Sequence, residues 1–338
     1  MQPKETTRAA GNGGGERSRA DYYLRLLETY ALRRPSSLAF WHELPELNPA
    51  FRPEVLGPYY LTHHHKARWT TLDSEGIPVL DYRGRIGRQY NPAAVAQYAL
   101  GNFNLYQATG DTRSRQRFLA AATWLARTLT ENQFGLPVWL YHFSWYYHGV
   151  IPSPWWSGLA QGLGLSVLAR AHQESGNELF RVAACRALAS FQTPASQGGV
   201  ADYGDTGSEL WFEEMPQRSR HVLNGFLSAI FGVHDFRLAF GDVRADELFR
   251  RSLATLASAL PQFDTGWWSL YELGTEDGRV LASRGYHRLH VVQLRALAQV
   301  TGSKLLHDTG KNWAAYDQQG RHRLRAALAK TAEKLLAR

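Results

Sequence analysis

Four short turns recur along the sequence at a nearly fixed interval, and no other feature narrows the possible folds as much. Thr109-Gly110-Asp111, Ser175-Gly176-Asn177, Phe240-Gly241-Asp242 and Thr301-Gly302-Ser303 place their glycines 66, 65 and 61 residues apart. Glycine tolerates the left-handed backbone that stops a helix, and Asp, Asn or Ser caps the helix that follows. Each turn therefore predicts two antiparallel helices, and the repeat predicts an array of such hairpins. A second register runs through the first helix of each pair, where an amide interrupts an apolar stretch: Gln97 in VAQYAL, Gln161 in LAQGLG, Asn224 in VLNGFL and Gln293 in VVQLRA, at intervals of 64, 63 and 69. Hairpins closing into a ring would bring these amides to its centre. The expected fold is mainly α: an α/α barrel, or toroid, of repeated helical hairpins with a polar centre. The intervening aromatic stretches PVWLYHFSWYYHG, GGVADYGDTGSELWFEE and DTGWWSLYELGTEDGRVLASRGYHR read as short β-hairpins that leave one end of the array. They would crowd one mouth of the ring, where the cleft is expected.

Residues 1–18 are polar and glycine-rich and are expected to be disordered. Residues 19–90 hold a helix that begins at Tyr22, followed by Pro- and Gly-punctuated strands and loops; residues 91–338 form the α/α-barrel domain. No apolar run reaches the about 18 residues of a membrane span, and the N-terminus lacks the apolar run of a signal peptide, so a soluble, cytoplasmic protein is expected. The lone Cys185 excludes an internal disulfide and is expected to be a buried, inert thiol. Of the 38 basic residues 32 are arginine, and the net charge is +8. Planar guanidinium groups pair with carboxylate, sulfate or phosphate, so an anionic partner is expected. The 11 tryptophans add faces on which sugar rings can stack. Nucleic acid would account for the charge but not for the amides, and no nucleic-acid-binding motif is present.

Two segments carry titratable side chains suited to a cleft. In Trp211-Phe212-Glu213-Glu214-Met215-Pro216 a strand would point the two carboxylates to opposite faces, so one reaches the cleft, and Glu214 is the choice. A charged pair at a strand end is ordinarily surface; the flanking Trp, Phe and Pro argue otherwise. In Arg284-Gly285-Tyr286-His287-Arg288-Leu289-His290, Tyr286 and His290 lie one helical turn apart, and the two arginines would favour a phenolate at Tyr286. His63, His64 and His65 cannot all face one ion, and no HExxH or cysteine partner accompanies them. Walker, Rossmann and GxSxG patterns are absent. Neither a metal nor a cofactor is expected.

Read together, the segments EGIPVLDYRGRIGRQYNPAAVAQYALGNFNLY, WWSGLAQGLGLSVLARAH, GGVADY, WFEEMP, VLNGFLSAIFGVHDF, LPQFDTGWWSLYEL and YHRLHVVQL resemble the glucuronyl C5-epimerase family over most of residues 75–300. The family converts D-glucuronate to L-iduronate within heparosan or heparan-type chains, and its catalytic domain is an α/α-barrel-like helical domain. The resemblance implies that Glu214 is the catalytic glutamate of the family's EEY motif. It likewise matches Tyr271 to the tyrosine of the YDL segment, and Tyr286 and His290 to the YHxxH segment. Met215 stands where the family commonly has a tyrosine. Leu273-Gly274-Thr275 replaces a basic stretch of animal members, whose large N-terminal β-rich region has little counterpart here.

Epimerisation at C5 requires a proton to leave one face of the sugar and another to arrive on the opposite face, while charge develops beside an existing carboxylate. Glu214 and Tyr286 are the expected pair of proton-transfer groups, with Tyr271 assisting. Trp156, Gln161, Asn224, Arg284, Arg288 and His290 are the expected substrate-binding residues, and an acidic, heparosan-like polysaccharide is the expected partner. The basic, Leu-rich C-terminal helix from about Gln319 would either pair two copies as a homodimer or cover the barrel. A uronate polysaccharide lyase, a glycoside hydrolase and a non-catalytic acidic-polysaccharide-binding protein are the competing readings.

Overall fold

The computed structural model describes residues 40–41, 44–82, 84–274 and 280–336. The expected disordered stretch 1–18 and the helix at Tyr22 lie outside these. Four helical hairpins follow one another: α1 (Pro92–Thr109) with α2 (Thr112–Thr128), α3 (Gly158–Ser175) with α4 (Glu178–Gln192), α5 (Leu223–Phe240) with α6 (Val243–Ala259), and α7 (Arg284–Thr301) with α8 (Lys304–Gln318). A further helix, α9 (Gly320–Leu336), packs over α8 and α7. The four turns are built as the sequence predicts. Gly110, Gly176, Gly241 and Gly302 end their helices with φ between 61° and 73°. The side chains of Asp111, Asn177, Asp242 and Ser303 then accept hydrogen bonds from the first free N–H groups of the next helix.

The first helix of each hairpin has 18 residues, and together these form the inner layer. In α3 and α5 nearly every one of the first fourteen residues is buried, as expected of a helix covered on all sides. The second helices form the outer layer and bury one stripe each, such as Phe180, Ala183, Ala184, Ala187, Leu188 and Phe191 of α4. Cys185 falls on the other side of that stripe and is exposed, which corrects the expected buried thiol: in an outer helix, two positions past Ala183 is already solvent.

Inner helices pack in sequence, α1 on α3, α3 on α5 and α5 on α7, and no packing of comparable extent joins α7 to α1 among the described residues. Among the described residues the four inner helices thus pack one on the next in an arc. The segment before α1 fills its centre. Each of the first three inner helices carries a polar residue at its thirteenth position, and all three hold residues 57–60 or their neighbours: Asn104 accepts from the Tyr59 N–H and donates to the carbonyls of Leu61 and Thr62, Arg170 donates to the Gly57 carbonyl, and Asp235 accepts from the Tyr60 hydroxyl at 2.7 Å. Arg170 and Asp235 also form a buried ion pair at 2.6 Å. This plug lies toward the C-terminal ends of the inner helices, so the space left open is at their N-terminal ends.

One two-stranded antiparallel ribbon, β1 (Leu80–Asp81) with β2 (Arg88–Gln89), precedes the first hairpin, and four connect the hairpins: β3 (Thr130–Glu131) with β4 (Pro137–Val138), β5 (Trp145–Tyr146) with β6 (Val150–Ile151), β7 (Ala201–Asp202) with β8 (Trp211–Phe212), and β9 (Leu270–Glu272) with β10 (Val280–Leu281). No helix among the described residues is long and apolar enough to cross a membrane.

Candidate active site

A cavity of about 470 Å³ opens at the N-terminal ends of α1, α3, α5 and α7, a size typical of small-molecule clefts. Its lining includes Asn91 and Gln97 of the first hairpin, Ser157 and Leu163 of the second, Asn224 and Ser228 of the third, and Tyr286 and Gln293 of the fourth. The plug contributes Tyr59 and His63, and the β5–β6 ribbon contributes Trp145 and Tyr146. Four helix N-termini facing one space favour a negatively charged occupant.

Glu214 reaches this cavity and Glu213 does not; both lie just past the end of β8 at Phe212 rather than in a strand. Glu213 is fully buried. It accepts hydrogen bonds from the Ser219 hydroxyl at 2.7 Å and from the backbone N–H groups of Arg220 and His221, and it pairs with His221 Nδ1 at 2.5 Å. Burial opposes charge on His221, but the hydrogen bond and charge of Glu213 prevail and raise its pKa. Asp202, Glu213 and His221 bring possible metal-ligating atoms within 4.8 Å of one another, yet Asp202 and Glu213 both accept from the Ser219 hydroxyl and Glu213 pairs with His221. The strand end is seated between two helix starts by glycines. A Cβ at Gly158 would collide with the Glu213 carbonyl, and one at Gly225 with the Glu214 side chain, approaching its Cβ to 2.6 Å. Only a glycine at position 225 leaves room for the Glu214 side chain against α5.

Burial, and then the charge of Glu213, push the Glu214 carboxyl up to about 8, although a hydrogen bond from Asn224 Nδ2 at 3.3 Å acts the other way. Such a group exchanges protons near neutrality. Tyr271 projects from β9 into the cavity between two fully buried neighbours, Leu270 and Glu272. Its ring lies 4.8 Å from that of Tyr286. Burial raises the Tyr271 phenol well above the usual value, and the charge of Glu214 and the hydrogen bond with Tyr286 add to this. It is a neutral hydroxyl beside a second one. Tyr286 is placed by its helix start, where Ser283 Oγ accepts from the Tyr286 N–H.

Of the nine site residues read from the sequence, Glu214, Tyr271, Tyr286 and Asn224 line this cavity, and five do not. Trp156 donates its indole N–H to the Gly199 carbonyl, and Gln161 is held on both sides, accepting from the Trp139 N–H and donating to Ser190 Oγ. Arg284 and Arg288 both pair with Asp317, at 2.8 and 2.7 Å, which occupies the charge expected beside Tyr286. His290 is fully buried, shares Ser269 Oγ with His287, and burial holds it neutral. Both histidines join β9 to α7 and so align Tyr271 with Tyr286.

Three features were not legible in the sequence. Tyr141 lines the cavity, is buried against Trp155 at 3.9 Å, and has its phenol raised by burial and by Tyr82 and Glu214. His63 lines it in a left-handed conformation with φ 49°, and burial lowers its imidazole to about 3. Finally, the fully buried Glu272 accepts from the Tyr147 hydroxyl and pairs with His148 Nε2 at 2.9 Å and Arg220 Nε at 2.8 Å. It thereby ties the β5–β6 ribbon to the strand that carries Tyr271.

Residues 132–315 match the family model described as D-glucuronyl C5-epimerase C-terminus. The chain belongs to this family. The matched span contains Glu214, Tyr271, Tyr286 and all but the last three residues of the last three hairpins. A D-glucuronyl C5-epimerase of Caenorhabditis elegans is 32% identical over 225 residues, covering 61% of this chain and 36% of the worm protein. This chain thus corresponds to little more than a third of that relative's length. An uncharacterised protein of Methanocaldococcus jannaschii is 27% identical over 264 residues, covering 72% of this chain and 84% of its own length.

Proposed function

We propose that this member of the C5-epimerase family inverts C5 of D-glucuronate to give L-iduronate in a heparosan-like acidic polysaccharide. The observation that carries the reading is the meeting of Glu214 with the Tyr271–Tyr286 pair in one cavity at four helix N-termini. In the forward direction the C5–H bond breaks and its proton passes to the Glu214 carboxylate. The electron pair enters the adjoining carboxylate as an enolate, which the helix N-termini and neutral phenols stabilise. C5 then takes a proton from the Tyr286 hydroxyl on the opposite face. Tyr271, hydrogen-bonded to Tyr286, relays a proton to restore it. The cavity's residues supply acid, base and oxyanion stabilisation without a cofactor in the scheme.

Incubation with N-acetyl heparosan in heavy water, followed by NMR of the uronate residues, tests this. Deuterium at C5 together with iduronate is the expected outcome. An unsaturated uronate would instead identify a lyase, new reducing ends a hydrolase, and tight binding without deuterium a non-catalytic polysaccharide-binding protein.

A further inference from the structure

The wall of the cavity contains buried polar atoms that the fold leaves unsatisfied, and those beside Glu214 are all of one kind. Asn224 Oδ1 and Gln293 Oε1 accept no hydrogen bond among the described residues, although Asn224 is 4% exposed and Gln293 1%. Both residues line the cavity, and Gln97, whose Oε1 is also unpartnered, faces it from α1. A folded protein rarely leaves such acceptors idle, because a buried oxygen without a donor forfeits the hydrogen bonds it made to water.

The orientation of the Gln293 amide is fixed. Its Nε2 donates to the Asn224 carbonyl at 3.0 Å and to Ser228 Oγ at 2.9 Å. A backbone carbonyl only accepts, so the amide nitrogen must face it and the oxygen must point away. Gln293 lies seven residues after Tyr286 on α7, hence on the same face and about 10 Å deeper in the cavity. Through the Asn224 backbone it also touches the residue whose side chain holds Glu214. Gln161, which carries no unpartnered atom, shows the contrast: both ends of its amide are used within the fold.

We infer that Gln293 Oε1, with Asn224 Oδ1 beside it, accepts a hydrogen bond from a free ring hydroxyl of the bound uronate and so sets which sugar edge enters first. This rests on the C5-epimerase reading given above. In a 1,4-linked chain the free hydroxyls of a uronate are those on C2 and C3, across the ring from C5. With C5 held between Glu214 and Tyr286, that edge is the one that reaches the deeper amides. A site built to pair with a hydroxyl rejects an analogue that lacks it far more strongly than it rejects a change of size, because the acceptor is then left buried and unpaired.

The test uses three short heparosan oligosaccharides whose central uronate is unmodified, 2-deoxy or 3-deoxy, with C5 deuterium incorporation as the readout for wild type and Gln293→Met. The wild-type protein is expected to lose about 100-fold or more in kcat/KM on one deoxy analogue and less than about 10-fold on the other. Gln293→Met is expected to lose a similar factor on the unmodified oligosaccharide and nothing further on the sensitive analogue. Wild type treating all three alike, or losses that multiply when variant and analogue are combined, would overturn the assignment. The wild-type arm needs no variant to fold. Were wild type to exchange no C5 hydrogen from the unmodified oligosaccharide, the epimerase reading would fail separately. Relative affinities of the three oligosaccharides would then decide the hydroxyl subsite, equal affinities overturning it and one weakened analogue supporting it.

Discussion

Glu214 owes its properties to a neighbour that never enters the cavity. Because the Glu213 charge follows burial as a cause of its raised pKa, and Glu214 must be ionised to take the C5 proton, Glu213→Gln should move the acidic, rising limb of the pH–rate profile from near 8 toward lower pH. An unmoved limb would contradict this. The same shift sets a stability trend. Glu214 holds its proton in the folded state from pH 4.5 to about 8, whereas the unfolded chain loses it near 4.5, so folding stability falls as pH rises through that window. Glu214→Gln should therefore be more stable than wild type at pH 9, by roughly 1–3 kcal/mol, and show little difference at pH 4. Denaturant titrations at the two pH values measure this, and equal stabilities at pH 9 would refute it. At this scale the sequence was informative where a local rule applied. One of the two adjacent glutamates was expected in the cleft and Glu214 is the one that lines it, while the residues themselves singled out Tyr286 and the resemblance added Tyr271. It failed where a distant partner decides the outcome: Asp317, some 30 residues beyond the arginines, takes both of them. Likewise no spacing rule brings Tyr141 to Glu214.

Among the elements, the turns were fully legible because each cap is written in three consecutive residues. The interhelical contacts were not. α3 and α5 approach through Gly162 and Gly232, and a Cβ on Gly162 would lie 2.5 Å from the Ala229 Cα and 2.7 Å from the Ser228 carbonyl. Backbone atoms cannot step aside as a side chain can, so Gly162→Ala should cost roughly 2–4 kcal/mol, read as a lowered Tm; a loss under about 0.5 kcal/mol would show that the helices can separate freely. Glu272 makes the corresponding link among the ribbons. Its replacement by Gln should free the β5–β6 ribbon, raising hydrogen exchange at residues 145–151 and lowering kcat, since Tyr271 precedes it on β9. Unchanged exchange there would remove the ribbon from the account. The amides that suggested a common inner register occupy different positions in their helices. The register that does hold is Asn104, Arg170 and Asp235, six residues before each glycine, and it serves the plug rather than the cleft.

For the molecule as a whole, a four-hairpin array was predictable from one period, but the segment before α1, which lies outside the repeat, was not placed by it. Residues 57–63 occupy the centre of the arc at the C-terminal ends of the inner helices and leave the N-terminal ends open. The cavity thus lies at the electropositive ends of four helices, with the carboxyl of Glu214 and the phenols of Tyr271 and Tyr286 around it. The most direct measurement is the rate of C5 deuterium incorporation into heparosan by wild type, Glu214→Gln and Tyr286→Phe side by side. Both variants are expected to lose at least about 100-fold while keeping the wild-type affinity for the polymer. Wild-type exchange rates in both would contradict a carboxyl and a phenol acting on one carbon.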